Sequence, residues 1–517
     1  MNASFATRRL GSPRVPGVIR RITPALAYVV LSCAVLLAVK STPTPSLASS
    51  VALLGFIALG AWMFLSENYP ATLAVLLLYL GLLDGFLKLK TGLQVATLGR
   101  DILLYAIVAG AVIRFLIRKQ AVRLPPLSGW VLAFALIVLV SMFNPGSAPL
   151  VHHALPSVRP HLEFLPLFFL GFLVVRTRAR LRMFLILLLV CGAANGVVNL
   201  AQYNLSEDQL ASWGPGYAKF IEGGDGIGGR TFATDNGDRV RPFGLGGDAG
   251  GGGFIAVLGL PGAIALVALA RRRPKFAAIA LVLSAWALVA VITSQGRGVV
   301  VGGFAMVLAY AALSVTARRV IPTVAAITVG GVVTLLVLSA LTGDSSNSFD
   351  RYDTISPGKI LGTTATDRGN ALTIVPKYIG DFPLGYGLGS GGPAAGFGGA
   401  QRVGLSAESE FAYLMIEVGL VGLLIVVGFT LRLLQLAVTR LRSVGDHELR
   451  TLLAGAISPL FGIVVLFVSG APTSGSPLGP YFWFTGGLIS YWLLSARRQG
   501  APTTPHRRAD HELGPAI

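Results

Sequence analysis

Hydrophobic positions in this chain neither alternate nor recur every third or fourth residue; they run on in long stretches divided by short polar breaks. A helix needs about 20 apolar residues to cross about 30 Å of hydrocarbon, and continuous runs of that kind select helices over a closed barrel. The pattern predicts about fourteen spans. They centre on 22–39, 47–65, 71–87, 99–117, 127–143, 161–175, 181–202, 248–270, 276–294, 299–316, 320–341, 408–431, 451–470 and 478–496. The expected fold is all-α and polytopic. A basic segment over 1–21 precedes a single membrane domain over 22–496, and a polar, Pro-rich tail over 497–517 follows it. No internal repeat stands out.

Composition agrees. Of 517 residues, 53% are hydrophobic and 13% charged, and the mean hydropathy is +0.71, which excludes an ordinary soluble domain. The net charge of +19 would suggest nucleic acid if it formed a stripe, but its distribution is topological. With the N-terminus in the cytoplasm, Arg8, Arg9, Arg14, Arg20 and Arg21, the clusters RFLIRKQAVR, RTRAR, RRRPK and ARR, the loop up to Arg450, and Arg497, Arg498, Arg507 and Arg508 all fall inside. That places about 27 of the 42 basic residues on the cytoplasmic side with about five acids, the positive-inside bias. Both termini are then cytoplasmic and no basic surface remains for nucleic acid. The Arg-rich start enters the first span without a small-residue cleavage site, so the expectation is an uncleaved first helix. Cys33 and Cys191 fall within spans and read as small buried apolar residues.

Two loops break the rhythm, 204–247 and 342–407, and both are expected on the extracytoplasmic face. Long loops without obvious secondary structure are usually functional or disordered. No GxxxxGK[ST] loop is present, so ATP is not the expected energy source. A donor that is already activated when it reaches the outer face fits better.

Candidate chemistry gathers near those loops. Arg297, in VITSQGRGVVVGG, sits in a short turn between two apolar spans, and a charge there is expected to face a polar cavity or to snorkel to headgroups. Arg239 and Arg241 lie in GDRVRPFGLGGDAGGGG, just before a span whose N-terminus would face outward. Arginine forks and helix N-terminal amides both suit phosphate oxygens. Arg368 and Lys377 frame a short helix expected from Arg368 to Tyr378, which stops at Gly380 before a Pro-Gly turn. Glu408 and Glu410 open the span at 408–431. They are expected in its first turn behind an N-cap at Ser406, where acids complement the helix dipole, and one of them could serve as a general base. Glu417, two turns deeper, is expected to hydrogen-bond neighbouring helices. His152, His153 and His161 match no metal-binding spacing.

These features together resemble the O-antigen polymerase and ligase superfamily. The resemblance rests on the Gly-flanked Arg of SQGRG at the start of a span, the RPFGLGGDAGGGGF segment, an Arg followed by PLGYGLG late in the chain, and a closing EVGLVGL helix. It covers roughly residues 240–430 in motif and the chain in topology. In that family a His-Asn pair enters the closing helix. Aligned on Glu417 and Gly419, those positions here hold Glu408 and Ser409, a departure that favours the polymerase branch over the ligase branch. The resemblance implies a metal-independent, inverting glycosyltransferase of the GT-C-like class in a bacterial cytoplasmic membrane, with no cofactor. Its donor would be a polyprenyl-diphosphate-linked glycan and its acceptor a second glycan, with a chain-length regulator or other envelope-assembly proteins as possible partners. Mapped onto this chain, Arg241 and Arg297 would bind diphosphate, Arg368 would assist from the loop, and Glu408 would deprotonate the acceptor hydroxyl. The alternatives are a ligase that moves finished glycan to a lipid or protein, a transporter, and a non-catalytic scaffold. Transporters of this size show repeats and midplane charges, and the charges singled out here lie near the outer edge.

Overall fold

The computed structural model describes residues 45–92, 95–117, 124–145, 147, 155–222, 231–234, 237–270, 273–314, 352, 369–392 and 407–495. The segment 1–21, the expected spans at 22–39 and 320–341, and the tail 497–517 lie outside these residues.

The chain folds as α1 (Pro45–Leu65), α2 (Tyr69–Thr91), α3 (Val95–Ile117), α4 (Ser128–Ser141), α5 (Ser157–Val174), α6 (Arg178–Tyr203), α7 (Gly251–Leu269), α8 (Pro274–Thr293), α9 (Arg297–Ser314), α10 (Gly369–Asp381), α11 (Glu410–Leu441), α12 (His447–Val468) and α13 (Leu478–Ile489). Among the described residues, eight are long and apolar enough to cross a membrane: α2, α5 to α9, α11 and α12. Leu53–Leu65 within α1 and Ser128–Ser141 are shorter apolar helices. By helix length and composition this is an all-α, multi-pass membrane protein.

Two helices depart from regular geometry. Within α2 a π turn over Tyr79–Leu83 places the extra residue just before Asp84. Within α11, Gly419 takes φ 71° and ψ −174°, which splits the helix after two and a half turns. The described residues of the loop over 204–247 carry secondary structure of their own. They form two short helices, Glu207–Ala211 and Pro215–Glu222, and an antiparallel hairpin of β1 (Thr231–Thr234) and β2 (Gly237–Val240) in the register Thr231↔Val240. The first helix starts with a capping box, Ser206 against the Gln209 amide and the Gln209 side chain against the Ser206 amide. Leu210, Tyr217 and Phe243 bury a small core against Leu89, which seats this cap on the end of α2.

In the bundle, α6 lies against both α7 and α8, α13 against the second half of α5, and α11 against α4 and α10. Without water to drive apolar faces together inside a bilayer, close backbone approach supplies the packing. A Cβ added at Gly487 would collide with the Phe168 carbonyl, and one at Gly196 with the Trp286 carbonyl. Apolar side chains such as Ile279, Val282, Leu424 and Leu431 are exposed on the outside, as lipid-facing residues should be.

Gly487→Val should therefore cost about 1–3 kcal/mol of stability by overpacking the α5–α13 contact. Thermal melting of the detergent-solubilised protein reads this directly. Gly380→Ala, where an added Cβ meets nothing within 4 Å, should leave the melting point unchanged.

Candidate functional site

The turn that carries Arg241 is built from one face of α6. Asn195, Asn199 and Gln202 recur at helical spacing and all three are fully or almost fully buried. Gln202 Oε1 accepts the amides of Phe243 and Gly244 at 2.8 Å each, and its Nε2 donates to the Gly244 carbonyl at 3.1 Å. Asn195 Oδ1 accepts the Leu245 amide at 2.9 Å, while its Nδ2 donates to the carbonyls of Gly81 and Cys191. Asn199 Nδ2 reaches across to the Ala290 carbonyl of α8. The turn closes on itself through the Gly250 amide to the Pro242 carbonyl and the Gly252 amide to the Phe243 carbonyl. Gly250, at φ 82°, then starts α7. Arg241 is half-buried at the edge of this turn, and Arg239 in β2 donates to the Tyr203 carbonyl at 3.1 Å.

This clamp changes one expectation. The first amides of α7 were expected to face a phosphate, but Gly250 to Gly253 already donate to Pro242, Asp248, Phe243 and Gly250 carbonyls. What remains at that end is the field of the helix dipole and the arginine.

The α8–α9 turn packs directly on the same helix start. A Cβ at Gly253 would meet the Ser294 side chain, and one at Gly250 would stand 3.6 Å from the Ser294 carbonyl. Arg297 opens α9 and is exposed. The dipole disfavours a cation at that position, so an anion in front of it would relieve the conflict. Tyr352, in the loop expected over 342–407, donates to the Ile292 carbonyl at 2.6 Å, which brings that residue to the turn. The folded chain thus brings the segments of Arg241 and Arg297 together. Arg368 lies outside the described residues, and Lys377 is exposed on α10, which overlaps the helix expected there but runs through the expected stop at Gly380 to Asp381.

The acid pair divides. Ser409, not Ser406, caps α11, its hydroxyl accepting the Ala412 amide at 3.1 Å, and Ser406 lies outside the described residues. Only Glu410 therefore sits in the first turn. It is fully buried, and its carboxylate accepts both the Thr473 amide at 3.1 Å and the Thr473 hydroxyl. Glu408 precedes the cap and is exposed. Glu417 holds a loop, not neighbouring helices as expected. Its two oxygens accept the Gly389 and Gly391 amides at 2.7 Å each, and the turn continues into α11 through the Tyr386 amide to the Ile416 carbonyl and the Leu420 amide to the Pro383 carbonyl. The Pro-Gly turn thus fills the break that Gly419 opens. His161 lies beside it, with Nε2 3.6 Å from Glu417 and 3.2 Å from the Tyr413 hydroxyl, its ring stacked on Tyr413. His152 and His153 lie outside the described residues.

A second polar centre was not anticipated. Arg100 of α3 pairs with Asp84 at 3.2 Å and Glu163 at 2.5 Å, and Arg159 of α5 pairs with Asp101 at 2.8 Å and Glu163 at 3.6 Å. All five side chains are at least three-quarters shielded. The signal was present: Asp84, Arg100, Asp101 and Glu163 interrupt predicted spans, and ionisable groups in such runs normally pair with one another or mark a pathway. The chain matches no known protein-family model, no curated protein and no solved structure.

Removing one partner from a buried ion network leaves the others uncompensated. Arg100→Met should destabilise the protein by about 3–5 kcal/mol. Gln202→Met should cost about 1–3 kcal/mol by orphaning the Phe243 and Gly244 amides. Yields of monodisperse protein and melting temperatures after solubilisation distinguish both from wild type.

Proposed function

We propose that this protein is a glycosyltransferase of the bacterial cytoplasmic membrane that polymerises polyprenyl-diphosphate-linked oligosaccharide repeats into a surface polysaccharide. In this reading about fourteen spans place both termini in the cytoplasm and the loops 204–247 and 342–407 outside, so the site faces the extracytoplasmic side. The observation that carries the reading is the junction of the Arg241 turn with the Arg297 helix start. The turn that follows Arg241 leads into the start of α7, which packs on the turn that leads into Arg297 and α9, and Tyr352 reaches the same α8–α9 turn. That is a cationic setting for a diphosphate leaving group. Arg368 and Lys377 would add charge from the loop, and Arg239 would support the turn.

The chemistry follows from the roles. A sugar hydroxyl of the acceptor attacks the anomeric carbon of the donor from the side opposite the diphosphate. The new C–O bond forms as the C–O bond to phosphate breaks, with inversion. The hydroxyl proton passes to Glu408, and the polyprenyl diphosphate departs with its negative charge held by Arg241 and Arg297. Stabilising that developing charge and removing the proton are the two tasks such a site needs. Glu408 is the better base of the acid pair because it is exposed, whereas the Glu410 carboxylate is engaged by Thr473. No step calls for a metal or a cofactor.

Glu408→Gln in the native host should abolish long polymer and accumulate single repeats on the lipid carrier, with turnover reduced about 10²–10⁴-fold. Electrophoresis of surface glycan and mass spectrometry of lipid-linked oligosaccharide measure both. Full-length glycan that stays on the carrier would instead indicate ligase chemistry. Normal glycan length in Glu408→Gln would refute the role of this residue.

A further inference from the structure

One residue at the arginine junction carries two costs at once. Gln295 takes φ 51°, a left-handed conformation that an unbranched non-glycine residue adopts only at a price in strain. Its side chain is fully buried, yet among the described residues neither Nε2 nor Oε1 has a hydrogen-bond partner. An unmatched buried amide forfeits its hydration without return, a cost of the same sign as the strain. Its neighbours are satisfied: Ser294 Oγ donates to the Val291 carbonyl at 2.7 Å, and the Ile292 carbonyl accepts from Tyr352.

Its location supplies a reason. Gln295 lies between Ser294, which touches the start of α7, and Arg297, which starts α9. The α7 amides that could have met an anion are consumed by their own turn. A group that can donate two N–H bonds and adds no further charge is therefore held in the turn that packs on the start of α7 and leads into Arg297 and α9. We propose that the Gln295 carboxamide is a ligand-binding group, its Nε2 donating to an oxygen of the polyprenyl diphosphate bound at this junction. The inference rests on the donor chemistry proposed above and adds a specific residue to it. The strained turn holds the amide in place, and the ligand supplies the partner that the described residues do not.

Binding and stability separate this role from a purely structural one. Gln295→Met has similar length and no polar atom to orphan. The full chain, reconstituted in lipid nanodiscs, is titrated with a long-chain polyprenyl diphosphate, with the matching polyprenol as control. The wild type should bind the diphosphate and not the alcohol. Gln295→Met should melt at the same temperature or higher, because it removes the unmatched amide, and should bind the diphosphate about tenfold to a hundredfold more weakly. Gln295→Glu, which replaces the donors by a negative charge, should bind more weakly still. A Gln295→Met protein that binds as tightly as wild type would overturn the inference and leave the donor reading standing. A wild type that does not distinguish the diphosphate from the alcohol would overturn both.

Discussion

A backbone that leaves helical geometry inside a membrane domain has no water to satisfy its amides, and each orphan costs several kcal/mol. Two breaks in this fold depend on buried side chains that take the place of water. At the Gly419 break in α11, the Glu417 carboxylate accepts two amides of the Pro-Gly turn. At the entry to α7, Asn195 and Gln202 accept three amides of the turn that follows Arg241. Both glycine-rich segments would otherwise be free to move. Held this way, they become fixed walls, one in the turn that follows Arg241 and the other against α11, the helix that Glu408 precedes.

Helix α5 ties the Glu417 anchor to the charged centre. Arg159 and Glu163 lie one turn apart and face Arg100, Asp101 and Asp84 on α2 and α3. His161, between them in sequence, turns to Tyr413 and Glu417 on α11. One helix therefore contacts an ion network on one face and the loop anchor on the other. Exchanging such a network for apolar residues can be energetically neutral, whereas deleting one member is costly. Its consequence here is geometric: it fixes the rotation of α5, and with it the face that His161 presents to α11.

Eight of the expected spans were legible because continuous apolar runs carry their own length, and the helix after Arg368 was legible as an element although it runs past its expected stop at Gly380 to Asp381. What sequence could not reveal was set by tertiary pairing. The amides of Gly250 to Gly253 look available in a bare helix start, and only the folded turn shows that their partners are Pro242, Phe243, Asp248 and Gly250. The cap was expected at Ser406, and the backbone places it at Ser409. Glu417 read as a bridge between helices because the Gly419 break, which lets a loop enter, cannot be seen in EVGLVGL. The ion network was visible as interruptions in apolar runs, but its pairing was not. Gln295 gave no signal at all, since an unmatched amide is defined by what surrounds it.

The division of the acid pair follows from the same logic. A carboxylate that must take a proton from an incoming hydroxyl needs room on one side and a fixed origin on the other. Glu410 provides the origin, because its double contact with Thr473 ties the first turn of α11 to the segment that leads into α13. Ser409 adds the cap that sets the direction of the chain as it enters the helix. Glu408, one residue outside that cap, inherits the position without the burial. In the proposed chemistry the buried acid is therefore structural because it is well bonded, and the exposed acid is available because it is not. The two adjacent carboxylates need opposite surroundings, and the helix boundary between them is what supplies the difference.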